Sequence, residues 1–561
     1  MKFFKNIMIS SVVAAAMGLG SCTGDLDLLP TDPTNLTADK FAADPEGYMD
    51  AVLADCYLNF VTEGVSDNTT VTKFNGGMAV FQRALFILEE IPTDEANWLS
   101  ATDTEYGTLQ YAIPTTTNVA SGGCYSRLII NITLCNDFIR TVNQGLFQLS
   151  TPEQFAKAEE YVRQAKILRS VCYYYMIDLF GNVPYADENT EIGSVPAQLK
   201  RADLYNLVTK TLEDVSAEYN GRNDAKYGFV GLDVADAYLV KFYLNSEVYT
   251  GTPAWDKCYR KANEIIARHK GNGFKGSGLA PDYHNNFAFN NKQYSLGGGG
   301  NVSEILWALP VSDPELMTYG GATILTNAYL GSPKNGLNGV AAVCDQSLVN
   351  CYNGWGCMTA RREFTEVFDW NSDYTESPDK RVRFWYTAKS GFNIDNAVLN
   401  TDDFGNNGYL PIKYSNWAIN ADGSINVAES PATAPNQSPT PYAMVRLAEI
   451  YLSAAEAALE GGGSREDALT YVNYIRERAG LSAWTATDLS LPALQQERQR
   501  ELYTEGTRRT DLIRYGKWIS GYNWAWKNNV RMGADLPAHY NLYPLPEVIV
   551  SLAGYEQNPG Y

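Results

Sequence analysis

Residues 445–480 read VRLAEIYLSAAEAALEGGGSREDALTYVNYIRERAG, and this stretch decides the fold class. Val445, Ala448, Leu452, Ala455 and Leu459 recur at the three-to-four spacing of one helix face. Gly461-Gly462-Gly463 breaks that helix, and Ser464-Arg465-Glu466-Asp467 opens a second one as a cap followed by acidic first-turn residues. Ala468, Val472, Ile475 and Ala479 repeat the pattern, with Gly480 placed to close it. A further helix is expected from about Leu491 to Glu505. Two short helices with small residues at their crossing points form a helical hairpin of the tetratricopeptide kind, whose repeat is roughly 34 residues, although the strict consensus is absent.

The same grammar appears upstream. Thr151-Pro152-Glu153-Gln154 combines an N-cap, a proline at the first helical position and a Gln three residues after the cap. Ala158, Tyr161, Ala165, Leu168, Cys172, Tyr175 and Leu179 then fall on one face, and Gly181 and Pro184 end the run. Helices are expected at 201–219, 233–249 and 255–268, the last two joined by Thr250-Gly251-Thr252-Pro253. Between the helical blocks, residues 272–440 are rich in Gly, Asn, Ser and Pro, with few periodic segments but many aromatics. The fold expected is mostly α: a tetratricopeptide-like helical base, about 45–271 and 441–561, carrying a loop-rich lobe at about 272–440. Long irregular segments inside a compact protein are commonly functional.

The chain's beginning sets its address. Lys2 and Lys5 precede an apolar run from Ile7 to Leu19, too short for a bilayer span of about 20 residues. Leu19-Gly20-Ser21-Cys22 closes it as a lipobox, so residues 1–21 read as a lipoprotein signal peptide with Cys22 as the lipidated residue. Acyl chains, at about 0.8 kcal/mol per buried CH₂, hold such a protein on a membrane without a spanning helix. Residues 22–44 form the lipidated N-terminus and an Asp-, Thr- and Pro-rich tether. Asp25 and Asp27 resemble the surface-export signal of lipoproteins from the Bacteroides phylum.

Composition removes several function classes. The formal net charge of −20 argues against nucleic acid and against a basic membrane-binding face. Gly297 to Gly300 lacks the Gly-Lys-Ser/Thr of a phosphate loop. Among nine Cys there is no C-x-x-C, so a zinc or thioredoxin-like site is not indicated. Cys344, Cys351 and Cys357 cluster, either as a disulfide or as buried thiols. His269, His284 and His539 have no recognisable nucleophile partner. The 37 Tyr and 11 Trp suit a surface for amphipathic ligands as well as a core.

Several ordered motifs carry a family resemblance. They are Cys22-Thr23-Gly24-Asp25-Leu26-Asp27-Leu28, Arg446 to Leu452 with Ala455-Glu456-Ala457, and Arg476-Glu477-Arg478-Ala479-Gly480. Glu497-Arg498-Gln499-Arg500-Glu501-Leu502, Glu505-Gly506-Thr507-Arg508-Arg509, Asp511-Leu512 and the ending Gln557-Asn558-Pro559-Gly560-Tyr561 complete the set. Over almost its whole length the chain resembles the SusD/RagB family of outer-membrane nutrient-binding lipoproteins.

The resemblance implies a single domain over 45–561 that binds oligosaccharides or peptides outside the cell. It implies no catalysis and no cofactor, and a place as a lid on a SusC-type TonB-dependent transporter in the outer membrane. The Arg- and Glu-rich motif at 497–511 is then structural, an ion-pair network within the base. In starch-binding members a Trp after a P-T-D-E-type segment, a Tyr before Gly-Gly and a Trp in N-G-W form an aromatic arc. Trp98, Tyr319 and Trp355 match those positions. Arg83, fifteen residues before Trp98, matches the ligand-contacting Arg. Asn75 falls where an acidic residue is expected and Asp103 where an Asn is expected, which exchanges donors for acceptors. The calcium-binding stretch of some members corresponds to 285–304, where Glu304 is the only carboxylate, so no strong metal site is expected.

Three aromatic contacts of about 0.5–1.5 kcal/mol each, set against the cost of immobilising a glycan, imply dissociation constants on the order of micromolar to millimolar. Rival readings are another glycan, a peptide held in side-chain pockets, or a surface glycoside hydrolase, which would need two carboxylates across the scissile bond.

Overall fold

Thr151 caps the longest helix through its hydroxyl, which accepts from Gln154 N, while Gln154 Oε1 accepts from Thr151 N, so two orphan donors are satisfied reciprocally. The helix then runs from Pro152 to Phe180, as the spacing predicts, and Gly181 (φ +74°) ends it. The computed structural model describes residues 44–63, 79–98, 103–311, 316–330, 346–352, 354–371, 376–387 and 409–561.

In chain order the principal helices are α1 (Pro45–Val61), α2 (Phe81–Glu89), α3 (Val119–Asn143), α4 (Pro152–Phe180), α5 (Arg201–Glu218), α6 (Leu232–Leu244) and α7 (Trp255–His269). After the irregular middle come α8 (Leu447–Ala457), α9 (Arg465–Arg478), α10 (Leu491–Leu502) and α11 (Arg508–Arg514). Successive helices from α3 to α7 pack side by side, and α7 packs against α8, which joins the two sequence-distant helical blocks into one stack. Buried small residues such as Ala262, Ala454, Ala455 and Ala468 let these backbones approach. No helix among the described residues is long and apolar enough to cross a membrane.

Three expected elements differ in their ends. Val445 and Arg446 finish a strand, Tyr442–Arg446, antiparallel to Ile305–Leu309, and α8 begins only at Leu447. All five strand residues are buried, and the short apolar run Tyr442 to Val445 fits strand and helix templates alike. The helix expected at 233–249 breaks at Asn245, whose side chain donates to Lys241 O and accepts from Arg514 Nη1, diverting it from regular helix packing. The helix expected to reach Glu505 stops at Leu502, because Thr504 takes φ +61° and turns the chain away.

That turn matters because Glu505 enters a buried ion network. Arg446 donates to Glu304 Oε1 (2.8 Å), Glu501 Oε1 (3.0 Å) and Glu505 Oε2 (2.8 Å). Arg478 joins Glu304 and Glu501, and Arg381 joins Asp379, Glu497 and Glu501. Lys413 reaches Glu505 at 2.6 Å. Glu304, Asp379, Arg381 and Lys413 come from the irregular middle, and the rest come from the helical block or the strand and turn that flank it, so these charges bolt the two together. The 497–511 motif is thus structural, as the family resemblance implies. Glu304 is committed to two guanidiniums and to Ala280 N. Cys351 is buried, with its thiol on Asn327 Oδ1, and Cys357 is a buried thiol; Cys344 and Cys22 lie outside the described residues.

Candidate functional site

The Pro92-Thr93-Asp94-Glu95 segment is anchored from below. Asp94 is fully buried and accepts from Arg508 Nε (2.7 Å) and Nη2 (2.8 Å), Gln499 Nε2 (3.0 Å) and Tyr522 OH (2.7 Å). Burial would raise its pKa, but the Arg508 guanidinium outweighs this and holds the carboxyl below its usual value. The next residues form the strand Ala96–Trp98, antiparallel to Met358–Ala360, with Trp98 opposite Met358. This pairing carries Trp98 beside the loop that bears Trp355. That loop is pinned by Trp355 N to Asn327 O (2.5 Å) and Gly356 N to Leu330 O (2.6 Å), with Gly356 at φ +63°.

Asn327 ends a short helix, Gly321–Asn327, whose approach places Tyr319. A Cβ on Gly320 would lie 2.3 Å from Val80 Cγ1, so only glycine permits this close packing beside α2. Tyr319 N donates to Glu63 Oε1 at 2.7 Å.

Five of the six predicted residues meet in one chain of contacts, joined through Tyr106. The Tyr319 and Trp355 rings lie 6.1 Å apart, inclined at 47°. The Arg83 guanidinium sits 5.6 Å from the Trp355 ring centroid. Its Nε and Nη2 both donate to Tyr106 OH, at 3.2 and 3.0 Å. Tyr106 in turn stacks on Trp98 with centroids 3.8 Å apart and planes parallel to 1°. Trp98 Nε1 donates to Asp103 Oδ2 at 3.0 Å. Tyr319 is 41 % exposed and Trp355 half-buried, whereas Trp98 is only 2 % exposed. The accessible aromatic surface is therefore Tyr319 and Trp355, and Trp98 lies beneath as part of their support. Asn75 lies outside the described residues.

Tyr106 escapes sequence reasoning. It holds Arg83 from 23 residues away and Trp98 from eight, and it shares no helix or strand with either, so no periodicity links them. Burial pushes its phenol well above the usual value, so it stays a neutral acceptor for Arg83.

Beneath this group Glu89, Glu90 and Glu95 are all buried. Glu90 Oε1 accepts from Gly506 N (2.6 Å) and Thr507 N (3.1 Å), and Glu89 Oε2 from Thr510 N (3.0 Å). Burial, with Asp178 adding repulsion, pushes Glu89 up to about 8. A carboxyl with a raised folded-state pKa adds stability that is complete below the unfolded value near 4.5 and lost as pH rises through about 8. Glu89→Gln mimics the protonated form. Its melting temperature relative to the parent should rise steadily between pH 5 and pH 8. A difference independent of pH in thermal melts would show that Glu89 titrates normally.

The comparisons with known proteins agree with this architecture. Residues 303–561 match the model of the SusD family. The whole chain aligns with the starch-binding protein SusD of Bacteroides thetaiotaomicron at 27 % identity over 604 residues, covering 100 % of this chain and 99 % of that one. A SusD superfamily protein from Bacteroides vulgatus shares the fold at TM-score 0.65 and 18 % identity, over 92 % of this chain and 99 % of that one. Surface glycan-binding protein A of Bacteroides thetaiotaomicron, in complex with laminarihexaose, superposes at TM-score 0.64 and 20 % identity, over 91 % of this chain and 99 % of that one. The motifs, the full-length alignment and the fold agree in what the chain is similar to: SusD family proteins, whose family model matches residues 303–561.

Proposed function

We propose that this protein captures oligosaccharides of the starch type on the Tyr319–Trp355–Arg83 surface without cleaving them, and passes them to a SusC-type TonB-dependent transporter. The single observation that supports this is the contact chain itself. Two inclined, accessible rings offer apolar faces to sugar C–H surfaces, with a guanidinium fixed beside them to meet hydroxyl oxygens. The relative's name as a starch-binding protein favours an α-glucan. The nearby carboxylates have other duties, Asp103 on the Trp98 indole and Glu63 on Tyr319 N, which favours capture over hydrolysis. In the same reading, lobe 272–440 brings Tyr319 and Trp355, base 45–271 brings Arg83 and Trp98, and Cys22 carries the lipid that holds the protein on the outer face of the outer membrane.

Calorimetry on a Cys22→Ala form tests this. Maltoheptaose should bind with a dissociation constant on the order of micromolar to millimolar. Heat with laminarihexaose alone would move the ligand to β-glucans, and release of reducing ends would refute the non-catalytic role. In cells, Cys22→Ala should abolish membrane retention and uptake while glycan affinity in solution stays unchanged.

A further inference from the structure

A cavity of about 570 Å³ opens elsewhere, between the turn at Asp282–His284, the segment Glu376–Trp385 and the hairpin tip Asp422–Gly423. Its size falls within the roughly 300–1,000 Å³ of small-molecule sites, and none of its lining residues belongs to the Arg83–Trp355 group. Trp370 and Trp385 stand on its wall, 5.8 Å apart and inclined at 47°. Both indole N–H groups are already used, Trp370 on Thr365 O (2.9 Å) and Trp385 on Tyr503 OH (3.2 Å). These side chains therefore offer ring surface and no donors.

His284 supplies the chemical discrimination. It is 1 % exposed, and its Nε2 lies 2.9 Å from Lys380 O. A carbonyl only accepts, so Nε2 carries the proton and Nδ1 presents a lone pair. That lone pair has no partner among the described residues. Burial pushes His284 down to about 4, which keeps the ring neutral at neutral pH. The opening carries charges of both signs, Asp282, Glu376, Asp379 and Asp422 with Lys380 and Arg383, which offset one another across the wall. A neutral hydroxyl donor with an apolar face suits the His284 lone pair and the indole surface without needing a counter-charge.

We propose that this cavity is a second saccharide site, taking one or two neutral sugar rings with a hydroxyl donated to His284 Nδ1 and a ring face against Trp370. It rests on the saccharide reading above, and the test separates the two. Maltotriose and laminaritriose are titrated into Trp355→Ala and into Trp355→Ala combined with Ser377→Trp. Ser377 is a half-buried wall residue, and an indole there fills the space without removing the wall. Trp355→Ala should keep one saturable site per chain for one of these sugars, and the double variant should bind it at least tenfold more weakly. The nitrogen-15 resonance of His284 Nδ1 should move upfield on saturation as it gains a donor. Parent binding at one site with none in Trp355→Ala overturns the second site and leaves the first. Equal binding by the parent and Trp355→Ala, lost on adding Ser377→Trp, refutes the first site and supports the second. Unchanged binding in the double variant, or an unmoved Nδ1 resonance, overturns the proposal.

Discussion

Arg446→Met lowers the stability of the whole chain by about 3–5 kcal/mol, the cost of breaking a buried ion pair by removing one partner. The size follows from what the guanidinium holds. It is fully buried and touches Glu304, Glu501 and Glu505 together, and Glu501 O and Glu505 Oε1 accept from its Nη2. Burial would raise the Glu501 carboxyl, but Arg478, Arg446 and Arg381 outweigh it and hold the group below the usual range. Glu505 is held down likewise by Arg446 and Lys413. Without Arg446 these acids stay buried, Glu505 losing its main counter-charge and Glu501 its second after Arg478. Removing acid and base together should cost less than the sum of the single changes, so a double-mutant cycle with Glu505→Gln should give a coupling of about 0.5–3 kcal/mol. Denaturant unfolding measures both. A loss below about 1 kcal/mol for Arg446→Met would mean that the network adds nothing beyond packing. The lowered carboxylates also fix the sign with acid: their contribution is present above the unfolded pKa near 4.5 and lost as pH falls through the lower folded values.

Helix caps are the part of this architecture most legible in sequence, because they are local. Ser464 accepts from Asp467 N and Thr151 from Gln154 N, each within three residues. Gly480 takes φ +82°, the value its position requires. The strand at Tyr442–Arg446 is not legible, because its partner lies some 140 residues away at Ile305–Leu309 and four apolar residues before an Arg carry no period of their own. The site divides along the same line. Gly320-Gly321 and Gly354 to Gly356 mark loop backbone and so point to Tyr319 and Trp355. The depth of Trp98 depends on the strand pairing to Met358 and on Tyr106 covering one face, and both are tertiary facts. The ion network at 497–511 is implied by the family resemblance, but its partners in the irregular middle, Glu304, Arg381 and Lys413, carry no local mark.

Trp355→Ala should weaken oligosaccharide binding by roughly 30- to 100-fold. The ring contributes a stacking face of about 0.5–1.5 kcal/mol. Its removal also takes from Arg83 a cation–π contact of about 0.5–2 kcal/mol, leaving the guanidinium held by its two hydrogen bonds to Tyr106 OH. Together these span about 1–3.5 kcal/mol, and the middle of that range, about 2–2.7 kcal/mol, converts to that fold-change. Tyr106→Phe probes the support separately. It removes the oxygen that accepts both Arg83 hydrogen bonds while keeping the ring stacked on Trp98, so affinity should fall about 5- to 10-fold with the fold intact. A peptide ligand held in side-chain pockets would be nearly indifferent to Trp355. Calorimetry with maltoheptaose on the parent, Trp355→Ala and Tyr106→Phe therefore separates the two ligand classes. An unchanged dissociation constant in Trp355→Ala would remove this surface from the binding site, and a loss in Tyr106→Phe equal to that in Trp355→Ala would make Arg83, not the indole, the main contact.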